Sequence, residues 1–320
     1  MRIVHQKAEL IQQEPGLEGI YKQIELAGRI CYKSEDKITE DSAKGFVDRM
    51  IQNHHNAMLE HGTVYLMYSA PLVRGIQECE ERLSKYKYNP CSKYVQLQIK
   101  TEHETNSIAY VTTNLRVLVE NGWMEDLKYL CEPDANHEKR IAFKLITDRG
   151  VWNEVIRNRT IDRDDYPKFE QAASFAQEST RYCNYSKDKF NNQLTFICPS
   201  WLNLNDGQYD VTGDNIVGDG YIKDYVDESS ENIFLMHCLG TEEIYKQLLK
   251  NGQTPQQARQ VLNQATKTEM VVTAFESDWR HFFDLRYFGT TGKPHPDMLE
   301  LTSLMKEELE KYNLWIYDKN

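Results

Sequence analysis

The feature that most constrains the fold is a succession of amphipathic helical segments and β-rich segments along one chain. The stretch GLEGIYKQIELAGRICY places apolar residues three and four positions apart, as on one face of a helix. The stretch from Thr63 to Tyr68 and the stretch RIAFKLITDRG have the alternation of strands. Further helices are predicted after Thr39, at TPQQARQVL, near Ser277 and over HPDMLELTSLMKEELEKY. We therefore predict an α+β fold, with residues 1–320 forming a single domain.

Two segments, about 70–110 and 203–225, are predicted to be insertions that lie outside the main body of this domain. Residues 70–110 are polar and rich in lysine, as expected of an excursion from the core. Residues 203–225 are rich in glycine and aspartate, which is typical of a surface loop. The aspartates there lack the spacing and the terminal glutamate of an EF-hand, so we predict no metal site.

The composition excludes several classes of protein. With 320 residues, 40% of them hydrophobic, the chain can bury a substantial core, and its formal charge of -11 argues against a binder of duplex nucleic acid. No apolar run reaches the roughly 18 residues that span a bilayer, and the start lacks the features of a signal peptide, so we expect a cytoplasmic protein that does not bind membranes. The seven cysteines form no C-x-x-C pair and are expected to be reduced thiols.

Arginines near apolar segments are the candidates for ligand binding. A guanidinium group presents a planar set of donors that matches phosphate and carbonyl oxygens. Each arginine also has an ordinary interpretation, as an exposed helix residue or as the partner of a nearby carboxylate. From the residues alone we predict only a small phosphate-bearing ligand. The arginines concerned are Arg157, Arg159, Arg181, Arg259, Arg280 and Arg286.

Four motifs, in order along the chain, resemble the flavin-dependent thymidylate synthases. RNR at Arg157–Arg159 and STRY at Ser179–Tyr182 resemble the two halves of the signature of that family, Arg-His-Arg followed by Ser-x-Arg-Tyr. MLEHGTVYL resembles its Glu-His segment, ARQVL its Ala-Arg-x-x-Leu helix, and TAFESDWRHFFDLR the helix that ends in its catalytic arginine. The resemblance implies a mixed or antiparallel sheet flanked by long helices, and a homotetramer whose active sites draw on several subunits.

The resemblance also implies a reaction and a set of site residues. The reaction is reductive methylation of dUMP to dTMP, with 5,10-methylenetetrahydrofolate as the carbon donor, FAD as the cofactor and NADPH as the reductant. Arg286 matches the catalytic arginine, which contacts the uracil ring and favours ionisation at N3. The residues implied for dUMP are Glu154, Arg157, Gln177, Glu178, Ser179, Arg181 and Arg259. The residues implied for FAD are His61, Thr63, Arg157, Asn158, Arg159 and His281.

The sequence departs from the family mainly on the side implied for the flavin. Asn158 replaces the central histidine of Arg-His-Arg, and 19 residues rather than seven separate Arg159 from Ser179, so residues 160–171 resemble an insertion. Phe275 and Ser277 stand where the family usually has asparagine and often arginine. Two alternatives therefore stay open: a related enzyme that methylates or hydroxymethylates another pyrimidine nucleotide such as dCMP, and an inactive homologue that binds dUMP.

Overall fold

Alternating and amphipathic segments form twelve strands and nine α-helices in the computed structural model, which describes residues 1–100, 105–157 and 173–317, without the side chains of residues 72 and 73. The strands are β1 (Arg2–Val4), β2 (Lys7–Ile11), β3 (Thr63–Pro71), β4 (Lys93–Lys100), β5 (Thr105–Asn114), β6 (Arg140–Asp148), β7 (Ala173–Gln177), β8 (Thr195–Ile197), β9 (Gly207–Thr212), β10 (Asn215–Gly218), β11 (Tyr221–Asp224) and β12 (Lys267–Phe275). The helices are α1 (Gly16–Tyr32), α2 (Ser42–Gln52), α3 (Leu72–Leu83), α4 (Leu115–Asn121), α5 (Arg149–Val155), α6 (Ser230–Lys250), α7 (Pro255–Ala258), α8 (Glu276–Arg286) and α9 (Pro296–Lys311). The predicted α+β class, with antiparallel sheets and long helices, is confirmed.

The strands form three sheets in the described part of the chain. Their orders are β2-β6-β12-β7, β3-β5-β4 and β11-β10-β9-β1-β8. All neighbouring strands run antiparallel except β1 and β8, which are parallel.

The four-stranded sheet β2-β6-β12-β7 has a different helix layer on each face. Met270, Val272 and Ala274 of β12 pack on one face with α5, α8 and α9. Val271 lies between them in sequence and packs on the opposite face with α1. Because successive side chains of a strand point to opposite faces, this sheet separates α5 and α8 from α1.

The two segments predicted to lie outside the core contain regular secondary structure and buried residues. Residues of α3 and the turn that follows it, Cys79, Leu83 and Tyr86, are fully buried against the three-stranded sheet. Residues 207–224 form β9, β10 and β11, and Tyr209 and Ile216 are buried there. The predictions of an excursion from the core at 70–110 and of a loop at 203–225 are therefore wrong, because long-range strand pairing and burial outweigh local polarity. That the two segments are insertions stays a prediction. Residues 160–171 lie outside the described residues.

The remaining structural expectations concern cysteines and membrane spans. All seven cysteines are free thiols, as predicted. Within the described ranges, no helix is both long and apolar enough to cross a bilayer.

Candidate functional site

Strand pairing brings the segment after β7 next to the start of β12. Gln177 pairs with Met270, and the Glu178 backbone N–H donates to the Glu269 carbonyl oxygen at 2.7 Å. Gln177 Nε2 donates to Thr268 Oγ1 at 3.0 Å. Two residues predicted to bind dUMP, Gln177 and Glu178, are therefore fixed at this end of the four-stranded sheet.

Glu178 lies in a buried network of ion pairs. Its side chain is almost completely buried, Tyr185 Oη donates to its Oε1 at 2.8 Å, and Lys267 Nζ lies 3.0 Å from its Oε2. Lys267 also contacts Glu269 Oε1 at 2.6 Å, and Lys33 Nζ contacts Glu269 Oε2 at 3.0 Å. Positive and negative groups therefore alternate from α1 to the end of β7, so each buried charge has a counterion.

The lysines of this network keep Glu269 ionised. Burial alone would raise the pKa of Glu269, but the charges of Lys267 and Lys33 outweigh it and hold this pKa at about 2. Burial alone would likewise lower the pKa of Lys267, whereas Glu178 and Glu269 raise it. Glu269 and Lys267 are therefore both charged at neutral pH.

The turn that carries Ser179 and Arg181 is docked on the end of α1. The Ser179 N–H donates to the Cys31 carbonyl oxygen at 2.9 Å, and the Tyr32 and Tyr182 rings lie 5.4 Å apart. Arg181 is exposed, and its Nε donates to Gln256 Oε1 at 3.3 Å. Within the described ranges no carboxylate lies at ion-pair distance from Arg181, so its charge is available to a ligand.

Arg259 lies one helical turn beyond Gln256, the contact of Arg181. Helix α7 begins with Pro255 at its first position, and the N–H of Thr254 donates to Gln257 Oε1 at 2.9 Å. Arg259 follows α7 and is exposed. The predicted start signal at Thr254 and Pro255 is confirmed.

Glu154 and Arg286 meet on the opposite face of the four-stranded sheet. The Asp148 side chain caps α5 by accepting the Val151 N–H at 2.7 Å. Arg286 is the last residue of α8, and its Nη1 lies 3.2 Å from Glu154 Oε2. About a quarter of each side chain is exposed, 26% for Arg286 and 29% for Glu154, so a ligand can reach this pair. Arg157 is exposed nearby, and its N–H donates to the Glu154 carbonyl oxygen at 3.3 Å.

The residues predicted to bind FAD are spread over several environments. His61 is fully buried, with its Nδ1 2.9 Å from Thr273 Oγ1. Burial, and then the charge of Arg140, lower the pKa of His61 to about 3, so the ring is neutral. His281 is half-buried on α8. Asn158 and Arg159 lie outside the described residues.

Thr63 borders a cleft of about 320 Å³. Gln13 fixes its backbone with two hydrogen bonds of 2.8 Å. Thr63 Oγ1 and Arg140 Nε are both buried and have no hydrogen-bond partner in the described part of the chain. Arg140 also lines this cleft, so two residues that border it each have a buried polar atom without a partner in the described part of the chain.

The two positions that depart from the family are occupied by a local network. The Phe275 ring lies 5.0 Å from Lys93 Nζ and 5.5 Å from the guanidinium carbon of Arg140. The Ser277 N–H donates to Glu138 Oε1 at 3.2 Å, and Lys93 Nζ contacts Glu138 Oε2, also at 3.2 Å. These side chains therefore hold the start of α8 against β4.

Sequence reasoning missed Lys33, Lys267, Glu269 and Tyr185. Tyr185 lies in the same short segment as Ser179 and Arg181, so proximity in sequence could have pointed to it. The other three come from distant segments and show no shared motif.

A sequence model of a protein family, described as thymidylate synthase complementing protein, matches residues 137–312. This interval is more than half of the 320 residues. The chain belongs to this family. The match confirms the resemblance to the flavin-dependent thymidylate synthases. The matched interval contains Glu154, the turn with Ser179 and Arg181, Arg259 and Arg286, whereas His61 and Thr63 precede it.

The protein is also similar to solved structures at low sequence identity. One is a UMP/dUMP methylase, PolB from Streptomyces cacaoi, bound with 5-Br dUMP; it is 15% identical, with a TM-score of 0.42 and coverage of 99% of this chain and 96% of that chain. Another is thymidylate synthase ThyX from Helicobacter pylori with FAD and dUMP; it is 14% identical, with a TM-score of 0.35 and coverage of 80% of this chain and 97% of that chain. No curated protein matches the chain. The assignment to the family rests on the matched residues.

Proposed function

We propose that the protein is a flavin-dependent thymidylate synthase that methylates dUMP to dTMP, using 5,10-methylenetetrahydrofolate, FAD and NADPH. The observation that carries this proposal is the family match over residues 137–312, which contains the turn with Arg181 and the helix that ends in Arg286. Both arginines are accessible to a ligand.

The dUMP phosphate binds at the turn after β7. Arg181 contributes a charged donor with no competing carboxylate at ion-pair distance in the described ranges, and the Ser179 hydroxyl adds a small polar group. Charge-assisted hydrogen bonds to phosphate are stronger than neutral ones. Gln177 completes the nucleotide site from the end of the sheet, and Arg259 completes it from the turn that follows α7.

Arg286 polarises the pyrimidine ring. Its planar fork donates to ring carbonyl oxygens and stabilises negative charge that develops on the ring, while the arginine itself stays protonated. Glu154 holds the same guanidinium through Oε2 in the structure described here. When the nucleotide binds, its pyrimidine ring therefore replaces Glu154 at the Arg286 guanidinium or shares the guanidinium with it.

Residues on the flavin side fit a cofactor with polar groups. Thr63 and Arg140 border the cleft, and each has a buried polar atom without a partner in the described part of the chain. His281 lies on α8, and Arg157 follows α5. When bound, FAD supplies the redox chemistry that reduces the transferred one-carbon unit. His61 is neutral and fully buried, and its contact with Thr273 Oγ1 fixes the backbone segment that leads to Thr63.

The complete site draws on more than one copy of the chain. The four-stranded sheet separates Arg286 and Glu154 from the turn with Ser179 and Arg181. This arrangement supports the homotetramer that we propose, in which the two groups reach one nucleotide from different copies. Sedimentation equilibrium measures this state, and a stable monomer that turns over dUMP would refute the shared site.

The function is tested by an anaerobic assay with FAD, NADPH, methylenetetrahydrofolate and either dUMP or dCMP, in which products are identified by mass. Formation of dTMP supports the proposal. A methylated or hydroxymethylated cytosine nucleotide would refute dUMP as the substrate but keep the class of reaction. Binding of dUMP without any product would favour an inactive homologue, for which the altered positions Phe275 and Ser277 already provide a reason.

A further inference from the structure

The carboxylate of Glu178 is buried inside the protein, where Oε1 accepts a hydrogen bond and Oε2 has an ion-pair partner but no hydrogen-bond partner in the described part of the chain. Tyr185 donates to Oε1 at 2.8 Å and Lys267 lies 3.0 Å from Oε2, while only 2% of the residue is exposed. A ligand therefore meets neither oxygen unless these contacts break. Glu178 thus acts as an internal anchor for the chain.

Lys267 is the charged partner of this anchor. Its Nζ lies between Glu178 and Glu269, 3.0 Å and 2.6 Å from their oxygens, and its side chain is 15% exposed. Loss of this cation would leave two buried carboxylates without the positive charge that separates them. A buried charge that loses its partner disturbs its surroundings strongly.

The anchor directly precedes the proposed phosphate-binding turn. Glu178 is held by Lys267, and the next residue, Ser179, is held by the Cys31 carbonyl oxygen at 2.9 Å. Arg181 follows two residues later and is exposed. These two adjacent restraints fix where the turn leaves the sheet, and so where Arg181 is presented.

We propose that Lys267 is a positioning residue for the nucleotide, which acts through Glu178 on Ser179 and Arg181. This role rests on the proposed function. Because Arg286 lies on the other face of the sheet, Lys267 affects nucleotide binding and leaves the step at the pyrimidine ring largely unchanged.

The test compares Lys267→Met with two control variants. Lys267→Arg keeps the charge, and Lys144→Met removes a cation that lies 3.7 Å from Glu269 but is not an ion-pair partner of Glu178. We expect Lys267→Met to raise the Kd and KM for dUMP at least tenfold with kcat within threefold of wild type. Lys267→Arg should stay within threefold of the wild-type Kd, and Lys144→Met within twofold. Calorimetry with dUMP and steady-state kinetics provide these values.

The outcomes separate this role from the proposed function. A folded Lys267→Met variant with wild-type dUMP affinity, or an equal loss in Lys144→Met, would overturn the positioning role alone. If Lys267→Met has no cooperative thermal transition, and so does not fold, the Tyr185→Phe variant provides the test. This substitution removes only the hydrogen bond to Glu178. A Kd for dUMP raised threefold or more supports the role, and an unchanged Kd refutes it. Absence of dUMP binding in the wild type refutes the proposed function and this role with it.

Discussion

At the scale of single residues, Arg286 is the side chain with the most specific proposed role. We expect Arg286→Ala to lower kcat by at least about 100-fold, the usual cost of losing one donor to a charge that develops in the transition state. The fold should persist, since the side chain is partly exposed and its described side-chain contacts are with Glu154 alone. Steady-state kinetics and thermal melting measure both effects.

Arg280 provides the matched control on the same helix. Its guanidinium donates to the Ile316 carbonyl oxygen near the end of the chain, away from Glu154. Arg280→Ala should therefore retain turnover. Near-normal turnover in Arg286→Ala would show that the catalytic assignment of this arginine is wrong.

Arg181 is expected to act on binding. Arg181→Ala should weaken dUMP binding by roughly 2 to 3 kcal/mol, the contribution of a charge-assisted hydrogen bond to phosphate. Lys187→Ala removes an exposed charge from the same segment and should have little effect. Calorimetric titration with dUMP compares the two, and an unchanged affinity in Arg181→Ala would remove this residue from the site.

At the scale of elements, the N-cap of α5 supports the pair of Glu154 and Arg286. Asp148→Ala removes the acceptor of the Val151 N–H and should lower the free energy of unfolding by about 1 kcal/mol, with a loss of turnover as α5 frays. Asp148→Asn keeps a capping oxygen and should preserve both. Chemical denaturation measures the free energy of unfolding. An equal loss of this free energy in the two variants would mean that the charge of Asp148, and not its capping oxygen, stabilises α5.

Helices and strands with a clear period of apolar residues were predictable from the sequence. Strands that depend on pairing with segments distant in sequence were not. The helical pattern at α1 and the alternation of β6 were found because each pattern is complete within one segment. The strand β12 was missed because it is buried on both faces and its apolar run does not alternate. The strands β9, β10 and β11 have the composition of a loop. They are strands because they pair with one another and because β9 pairs with β1.

The candidate site shows the same limit. Arg181 and Arg286 were found through motifs that are local in sequence. Lys33 and Lys267 were missed, because their ion-pair partners lie on other segments of the chain. These ion pairs join the end of α1, the end of β7 and the start of β12. Such a network is visible only once the chain is folded.

At the scale of the whole molecule, burial of His61 makes stability depend on pH. The pKa of His61 lies at about 3 in the folded protein against an ordinary 6.5, so the unfolded chain binds one more proton between these values. The free energy of unfolding should therefore fall as the pH drops from 6.5 toward 3, by up to about 4 kcal/mol from this group.

Variants at two histidines isolate this effect. His61→Gln should flatten the dependence of the free energy of unfolding on pH between pH 6.5 and 3, whereas His55→Gln, at an exposed position, should keep the wild-type slope. Urea denaturation at a series of pH values gives these slopes. Equal slopes in wild type and His61→Gln would contradict the prediction.

The separation of Arg181 and Arg286 by the four-stranded sheet has a genetic consequence. If each site takes one arginine from one copy and the other from a neighbour, two variants that are impaired alone can restore each other. In a co-expressed mixture of Arg181→Ala and Arg286→Ala chains, some sites receive both intact residues, up to about a quarter of the total for random pairwise assembly. Under the proposed function, two loss-of-function alleles of this gene would then complement one another in a cell that depends on its product for thymidylate.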